Sequence, residues 1–315
     1  MQYIKLGSTS LYVSKICFGT LTIGPLQKKL SVEDGARLLA YAYQKGINFV
    51  DTAELYETYE YIRKSIQISG IRPVISTKSY AYDKKSAEFS LYKALKELDV
   101  DYIDLFMLHE QEGAHTFKGH YEAVEYFLKA KEKGYIKHFG ISTHYVKAVK
   151  DAIKYPEIEV IHPIFNYKGI GIVDGTVDEM AEAIKQAYIH GKGIFAMKIF
   201  GGGNLLSNFR QALEFIFDFP YLHSVAIGMQ SIFEVDYNIR CFEEKKVYLN
   251  KELLENVKTK KLHVESWCEG CGECALHCHQ NALSVKDGKV VVDYSRCLCC
   301  GYCSSYCKLF ALKVI

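Results

Sequence analysis

The chain has 315 residues, 39 of them basic and 37 acidic, for a formal net charge of +2. That balance gives no electrostatic reason to expect nucleic acid or an anionic membrane as partner, and no uncharged run is long enough to span a bilayer. Hydrophobic content of 49% and charged content of 24% are those of a soluble globular protein, with room for one large core and a small appendage or for two ordinary domains.

The opening MQYIKLGSTSLYVSK has neither the apolar core of a signal peptide nor the Arg/Ser bias of a transit peptide, which predicts a cytoplasmic protein. Thiols stay reduced there, so the eleven cysteines point to metal or redox chemistry before disulfides. Only Cys17 and Cys241 lie outside residues 268–307.

Residues 2–13, with a Gly/Ser turn between short alternating segments, read as a hairpin. Eight short apolar runs follow, at 15–20, 48–53, 73–79, 103–109, 136–143, 160–167, 193–200 and 224–229. Amphipathic stretches separate them: Leu91, Leu95 and Leu98 keep one helix face apolar, and Gly46, Gly70, Gly134 and Gly191 stand where helices should stop. This count predicts a closed (β/α)8 barrel, a TIM barrel of the α/β class. The competitor, a doubly wound open sheet, normally carries G-x-G-x-x-G after its first strand, and none occurs; GIGIVDG at 169–175 has the wrong spacing.

Barrel chemistry sits at the C-terminal ends of the strands. There the sequence offers Asp51 and Tyr56 after the second strand, Lys78 at the end of the third and His109 at the end of the fourth. Taken singly, a helix cap, a solvated strand end and a satisfied core histidine explain them. Together they form a proton-donating site. A phenol with a pKa of about 10 is a poor acid near neutrality unless a cation such as Lys78 favours its anion. Asp51 would hold that lysine charged, and His109 would orient a carbonyl oxygen.

DTAELY (51–56), STKS (76–79) and LHEQ (108–111), in this order on an eight-stranded barrel, resemble the Asp, Tyr, Lys, His tetrad of the aldo-keto reductases. The resemblance covers roughly residues 1–244. It implies an oxidoreductase that moves hydride between a nicotinamide cofactor, NADP or NAD, and a small-molecule carbonyl or alcohol, the cofactor being bound without a Rossmann fingerprint. It further implies cofactor contacts at Gly19, Thr20, Ser142, Asn166, Gly228, Ser231 and Asn238. Two positions depart from the family pattern: Thr143 follows the serine, and His162 stands at the strand-six glutamine position. No Lys or Arg occurs from 228 to 239, where NADPH-preferring members carry a cation, so NADH stays open.

Residues 245–266 are Lys-rich and helix-prone and read as a connector to a region of different texture, residues 267–315. Cys268, Cys271, Cys274 and Cys278 have the spacing C-x-x-C-x-x-C-x-x-x-C, and Cys297, Cys300, Cys303 and Cys307 repeat it 29 residues later. Ala282-Leu283-x-Val285 returns as Ala311-Leu312-x-Val314 at the same offset, so the region is an internal duplication, and Cys299, equivalent to Gly270, stands outside it. Thiolates at i, i+3 and i+6 can converge on three corners of a cubane while the fourth points away. Asp287-Gly288 between Val-rich arms predicts a hairpin.

These runs resemble a bacterial-type ferredoxin domain, a small α+β unit with two 4Fe-4S clusters. The resemblance implies crossed ligation: Cys268, Cys271, Cys274 with Cys307, and Cys297, Cys300, Cys303 with Cys278. His279 and Lys308 replace the usual proline after the fourth cysteine. Zinc is the rival reading, though two identical four-cysteine runs suit it poorly.

An oxidoreductase with an attached ferredoxin domain is the leading expectation. Hydride carries two electrons and a cluster passes one, so exchange between them needs a one-electron intermediary, usually a flavin, for which no residues mark a site. The alternatives are an electron-transfer or redox-sensing partner protein with the barrel as docking scaffold, serving a redox partner protein, and a plain reductase with structural clusters. The intact tetrad argues against a scaffold.

Overall fold

A computed structural model describes residues 1–249 and 251–315. The chain opens with β1 (Tyr3–Lys5) and β2 (Tyr12–Ser14), an antiparallel pair. Eight parallel strands follow, β3 (Ile16–Gly19), β4 (Phe49–Asp51), β5 (Val74–Ser79), β6 (Ile103–Leu108), β7 (Ile136–Thr143), β8 (Val160–Pro163), β9 (Gly193–Met197) and β10 (Ser224–Ile227). They close in sequence order, with β10 pairing back onto β3. Each apolar run expected to be a strand holds one of them. Such runs suit parallel strands, which are buried on both faces.

Around the barrel lie α1 (Val32–Gln44), α2 (Tyr59–Ser69), α3 (Lys84–Leu98), α4 (Ala114–Gly119), α5 (Tyr121–Glu132), α6 (Val146–Ala152), α7 (Val177–Ile189), α8 (Phe209–Phe217) and α9 (Ile232–Glu244). Gly46, Gly70, Gly134 and Gly191 all adopt positive φ at the ends of α1, α2, α5 and α7. The extra element is α4, inside the long loop after β6.

Leu6, Leu11 and Val13 of the hairpin pack with Cys17, Phe49, Leu105, Met107, Val160 and Phe195 from the strands. The hairpin thus plugs one end of the barrel with apolar side chains, leaving the inward polar residues, Asp51, Lys78 and His162, at the other. Among the described residues no helix is long and apolar enough to cross a membrane.

After α10 (Lys251–Lys258), whose Leu253 packs in the barrel core, the C-terminal unit comprises β11 (Leu262–Val264), α11 (Glu273–Leu276), β12 (Leu283–Lys286), β13 (Lys289–Val292) and β14 (Leu312–Val314). β12 and β13 form the expected hairpin, with Asp287 and Gly288 at φ of +51° and +71°, as a type I′ turn requires. β11 pairs antiparallel with β14. The stretch read as a connector up to 266 is therefore not a passive link: its apolar Leu262 and Val264 make a strand that ties the chain's last residues down.

The duplication is visible in the backbone. Gly270 and Cys299 have φ of +63° and +50°, Gly272 and Gly301 of +84° and +78°, and Asn281 and Phe310 both of +48°. The unit's small core is Leu262, Cys274, Leu283, Val290, Cys303, Leu312 and Val314, rimmed by Cys268, Cys278, Cys297, Cys299 and Cys307.

The unit docks on the loop after β9. Val314 N donates to Gly202 O at 2.9 Å, and Asn204 Nδ2 donates to Leu312 O at 2.9 Å. Two glycines permit this approach: a Cβ on Gly203 would stand 1.9 Å from Val314 O, and one on Gly301 2.1 Å from Asn204 O.

Candidate active site

Asp51 closes β4, and the chain then turns through a single 3-10 turn, Glu54–Tyr56, that brings Tyr56 back over the barrel mouth. Lys78 lies in β5 and His109 directly follows β6. Parallel pairing sets Asp51 beside Ser76 and Lys78 beside Met107. Strand register sets Asp51 and Lys78, and the segments directly after β4 and β6 bring Tyr56 and His109 to the same end of the barrel.

Lys78 is 1% exposed. Its Nζ donates to Asp51 Oδ1 at 2.7 Å, to Asp51 Oδ2 at 2.6 Å and to Thr52 O at 2.8 Å. An ammonium has three donors, and all three are thereby spent. Lys78 thus acts on Tyr56 through space, its Nζ lying 5.2 Å from the centre of the phenol ring. Ser76 Oγ adds a hydrogen bond to Asp51 Oδ1 at 2.9 Å, and His162 Nε2 lies 3.7 Å from Asp51 Oδ2. Burial works to raise the Asp51 carboxyl, but Lys78 and His162 outweigh it and hold the group well below the usual carboxylate range.

Tyr56 meets the His109 ring edge-on, with centroids 5.7 Å apart, and Tyr80 stacks on the other side of His109 at 4.5 Å. Burial, followed by the charges of Asp51 and Glu110, pushes the Tyr56 phenol well above its ordinary value. The sequence argument has Lys78 favouring the phenolate; in this arrangement the net push is toward the protonated phenol. Burial and Lys78 together press the His109 imidazole well below its ordinary value, so the ring is neutral near pH 7. His109 Nδ1 is buried without a hydrogen-bond partner.

A cleft with about 1200 Å³ of empty space opens beside the tetrad. Its walls include Gly19, Asp51, Tyr56, His162, Gly228 and Asn238, which gathers three of the expected cofactor contacts beside the tetrad. The side chains of the other four are committed elsewhere. Thr20 Oγ1 is bonded to Asp51 O and Thr58, Ser142 Oγ accepts from Glu110 N, and Ser231 caps α9 by accepting from Glu234 N. Asn166, expected on the sixth barrel strand, lies beyond the end of β8, and its amide clamps the loop by exchanging hydrogen bonds with Ile170.

Several residues in the cleft walls fell outside the sequence reading. Lys260 comes from after α10 to reach Gln230 Oε1 at 2.7 Å and Glu234 Oε1 at 2.6 Å, so a cation stands where the 228–239 window holds none. Lys198, Lys313, Val314 and Ile315 also line the cleft. Lys198 had a signal, a lysine inside the apolar run 193–200; nothing local marks Lys260 or Lys313, which only the fold brings to the barrel.

In the C-terminal unit, burial raises the Cys274 thiol to about 11, helped by Cys307, Cys268 and Cys271. Burial raises Cys303 to about 12, helped by Cys274, Cys300, Cys297 and Cys278. Cys299 points its Sγ toward Lys260 O at 3.5 Å, and burial with the neighbouring Cys297 raises its thiol to about 11. Among the described residues no three His, Cys, Asp or Glu side chains converge closely enough to hold one metal ion.

The aldo/keto reductase family matches residues 15–259, about three quarters of the chain. The chain belongs to the aldo/keto reductase family. A probable aldo-keto reductase of Glycine max is 30% identical over 184 residues, 52% of this chain and 49% of that protein, so the match spans about half the relative's length. An L-galactose dehydrogenase of Arabidopsis thaliana is 22% identical over 304 residues, 80% of this chain and 92% of the relative. The crystal structure of a putative aldo-keto reductase from Pseudomonas aeruginosa superposes with a TM-score of 0.64 at 22% identity, covering 76% of this chain and 92% of its own, a likeness of fold. The family match ends at residue 259, ahead of both cysteine runs.

Proposed function

We propose that the barrel is an NAD(P)H-linked oxidoreductase for small carbonyl compounds, with Tyr56 as its proton donor. The observation that carries this reading is the buried Asp51–Lys78 pair, with Lys78 Nζ held by both carboxylate oxygens 5.2 Å from the centre of the Tyr56 ring. The dinucleotide fits the cleft: Thr22 Oγ1, Gln27 Oε1 and Asn238 Oδ1 are buried polar atoms without partners, and all three residues line it. When bound, the reduced nicotinamide supplies hydride to the carbonyl carbon.

The chain's own residues supply the rest. Neutral His109 orients the carbonyl oxygen toward Tyr56, and Tyr56 gives its proton to that oxygen as negative charge develops there. Lys78 stabilises the resulting phenolate through space, and Asp51 keeps the lysine charged and fixed. An L-galactose dehydrogenase among the proteins similar to this one supports an oxidoreductase reading.

The C-terminal unit is read as the carrier of two 4Fe-4S clusters. Its fit rests on which cysteines share an electrostatic neighbourhood. Cys274 is influenced by Cys307, Cys268 and Cys271, and Cys303 by Cys274, Cys300, Cys297 and Cys278, so each crossed partner lies within reach of its set and the two sets adjoin at Cys274 and Cys303. The fourth cysteine of each run also accepts a backbone hydrogen bond at Sγ, from Ala282 N at 3.3 Å and Ala311 N at 3.2 Å, again 29 residues apart. Such clusters supply one-electron transfer.

Tyr56→Phe tests the enzyme reading. It removes the hydroxyl and keeps the ring, so NAD(P)H-dependent carbonyl reduction should fall by about 10²-fold or more, with circular dichroism unchanged. Turnover at the wild-type rate would remove Tyr56 from the acid role.

A further inference from the structure

The inward lysines of this chain mostly have partners that absorb their charge. Lys78 has Asp51, Lys260 has Glu234 at 2.6 Å, and Lys192 donates to the carbonyls of Tyr155 and Ile158, each at 2.7 Å. Lys198 and Lys313 differ. Among the described residues neither is ion-paired with a carboxylate. Lys198 Nζ meets His144 Nε2 at 2.8 Å, and Lys313 Nζ donates to the carbonyl of Phe310.

The two lysines share one aromatic ring. Lys198 Nζ lies 4.9 Å and Lys313 Nζ 2.9 Å from the centre of Phe310, and His144 meets that ring edge-on at 6.0 Å. Lys313 is 4% exposed. The carboxylates that reach the pair through space are Glu110 and Glu265. Both have other partners: Glu110 accepts from Tyr80, and Glu265 accepts from Gln27 and lies near His263.

Burial lowers the Lys198 ammonium to about 8, and burial with the charge of Lys198 lowers Lys313 well below its ordinary value; Glu110 and Glu265 oppose both shifts and Cys307 opposes that of Lys313. A cation–π contact offsets only part of the cost of charging the pair, and an entering anion would offset more of it. Both lysines line the cleft that holds Asp51 and Tyr56. One comes from the end of a barrel strand and the other from the last residues of the C-terminal unit. Their juxtaposition depends on the loop after β9, where a Cβ on Gly202 would stand 2.7 Å from Lys313 Cδ.

We propose that Lys198 and Lys313 form an anion subsite, built jointly by the barrel and the C-terminal unit, that takes a phosphate or carboxylate group entering the cleft. The assignment rests on the reading of this cleft as the cofactor and substrate site. It makes the C-terminal unit a structural part of that site rather than an appended carrier alone. The anionic group comes either from the diphosphate of the dinucleotide or from a charged group on the carbonyl substrate.

Calorimetric titration with inorganic pyrophosphate, on the full chain, tests the subsite without requiring turnover. The wild type should bind it, and Lys313→Met and Lys198→Met should each weaken binding tenfold or more, whereas Lys313→Arg should stay within about threefold. Repeating the titration with NADH saturating, its own binding followed by fluorescence, separates the sources. Loss of pyrophosphate binding assigns the subsite to the dinucleotide's diphosphate, and retention assigns it to a substrate anion. If Lys313→Met does not fold, Lys198→Met carries the same readout. Wild-type affinity in folded Lys313→Met and Lys198→Met, or no binding to the wild type, overturns the proposal. Failure of the hydride-transfer reading would appear instead as undiminished turnover in Tyr56→Phe, which leaves these titrations untouched.

Discussion

Three acceptors surround the Lys78 ammonium, and two of them belong to a carboxylate with little access to water. Replacing Lys78 by Met would leave the buried Asp51 carboxylate with only Ser76 and His162 beside it. Breaking such a pair from one side costs about 3–5 kcal/mol. Urea denaturation should register that loss for Lys78→Met, and Lys78→Met/Asp51→Asn should recover part of it, because the orphaned charge is gone. The tetrad was legible because each residue falls at a strand end where a barrel places chemistry, and because the four types make sense only together. The spending of all three Lys78 donors was not legible, since Thr52 O and both carboxylate oxygens converge only after folding. Nor was the commitment of Thr20, Ser142 and Ser231 to local hydrogen bonds: a hydroxyl's type does not say which neighbour it will choose.

At the scale of elements, the strands followed from apolar runs and the helix ends from glycine, because both signals are local. The hairpin of β12 and β13 followed from Asp287-Gly288 for the same reason. The pairing of β11 with β14 joins residues some fifty apart and has no local signature in the sequence. The duplication predicts which cysteines act together. On anaerobic reconstitution with iron and sulfide, the wild type should take up about eight iron atoms per chain, as two four-iron clusters require. Cys299→Ala should retain them, since Cys299 occupies a glycine-like position with its thiol toward Lys260 O. Cys307→Ser should lose about half. Iron loss in Cys299→Ala equal to that in Cys307→Ser would contradict the placing of Cys299 outside both ligand sets.

For the molecule as a whole, the fold places the end of the chain against the cleft. Lys313, Val314 and Ile315 stand in the same wall as Gly19, Asp51 and Tyr56. Composition and spacing divide the chain into a barrel and a cysteine-rich unit, and the structure joins the two at the loop after β9. The difficulty that the proposed reading poses, hydride chemistry in the barrel beside one-electron clusters, therefore becomes a question about what crosses that wall. Isotopic labelling answers it most directly. With reduced nicotinamide carrying deuterium on the transferred position, a carbonyl substrate and the reconstituted protein, the product alcohol should carry the label on its former carbonyl carbon, and Tyr56→Phe should suppress the labelled product. Product formed at the wild-type rate with the label lost to solvent would contradict direct hydride transfer in the barrel.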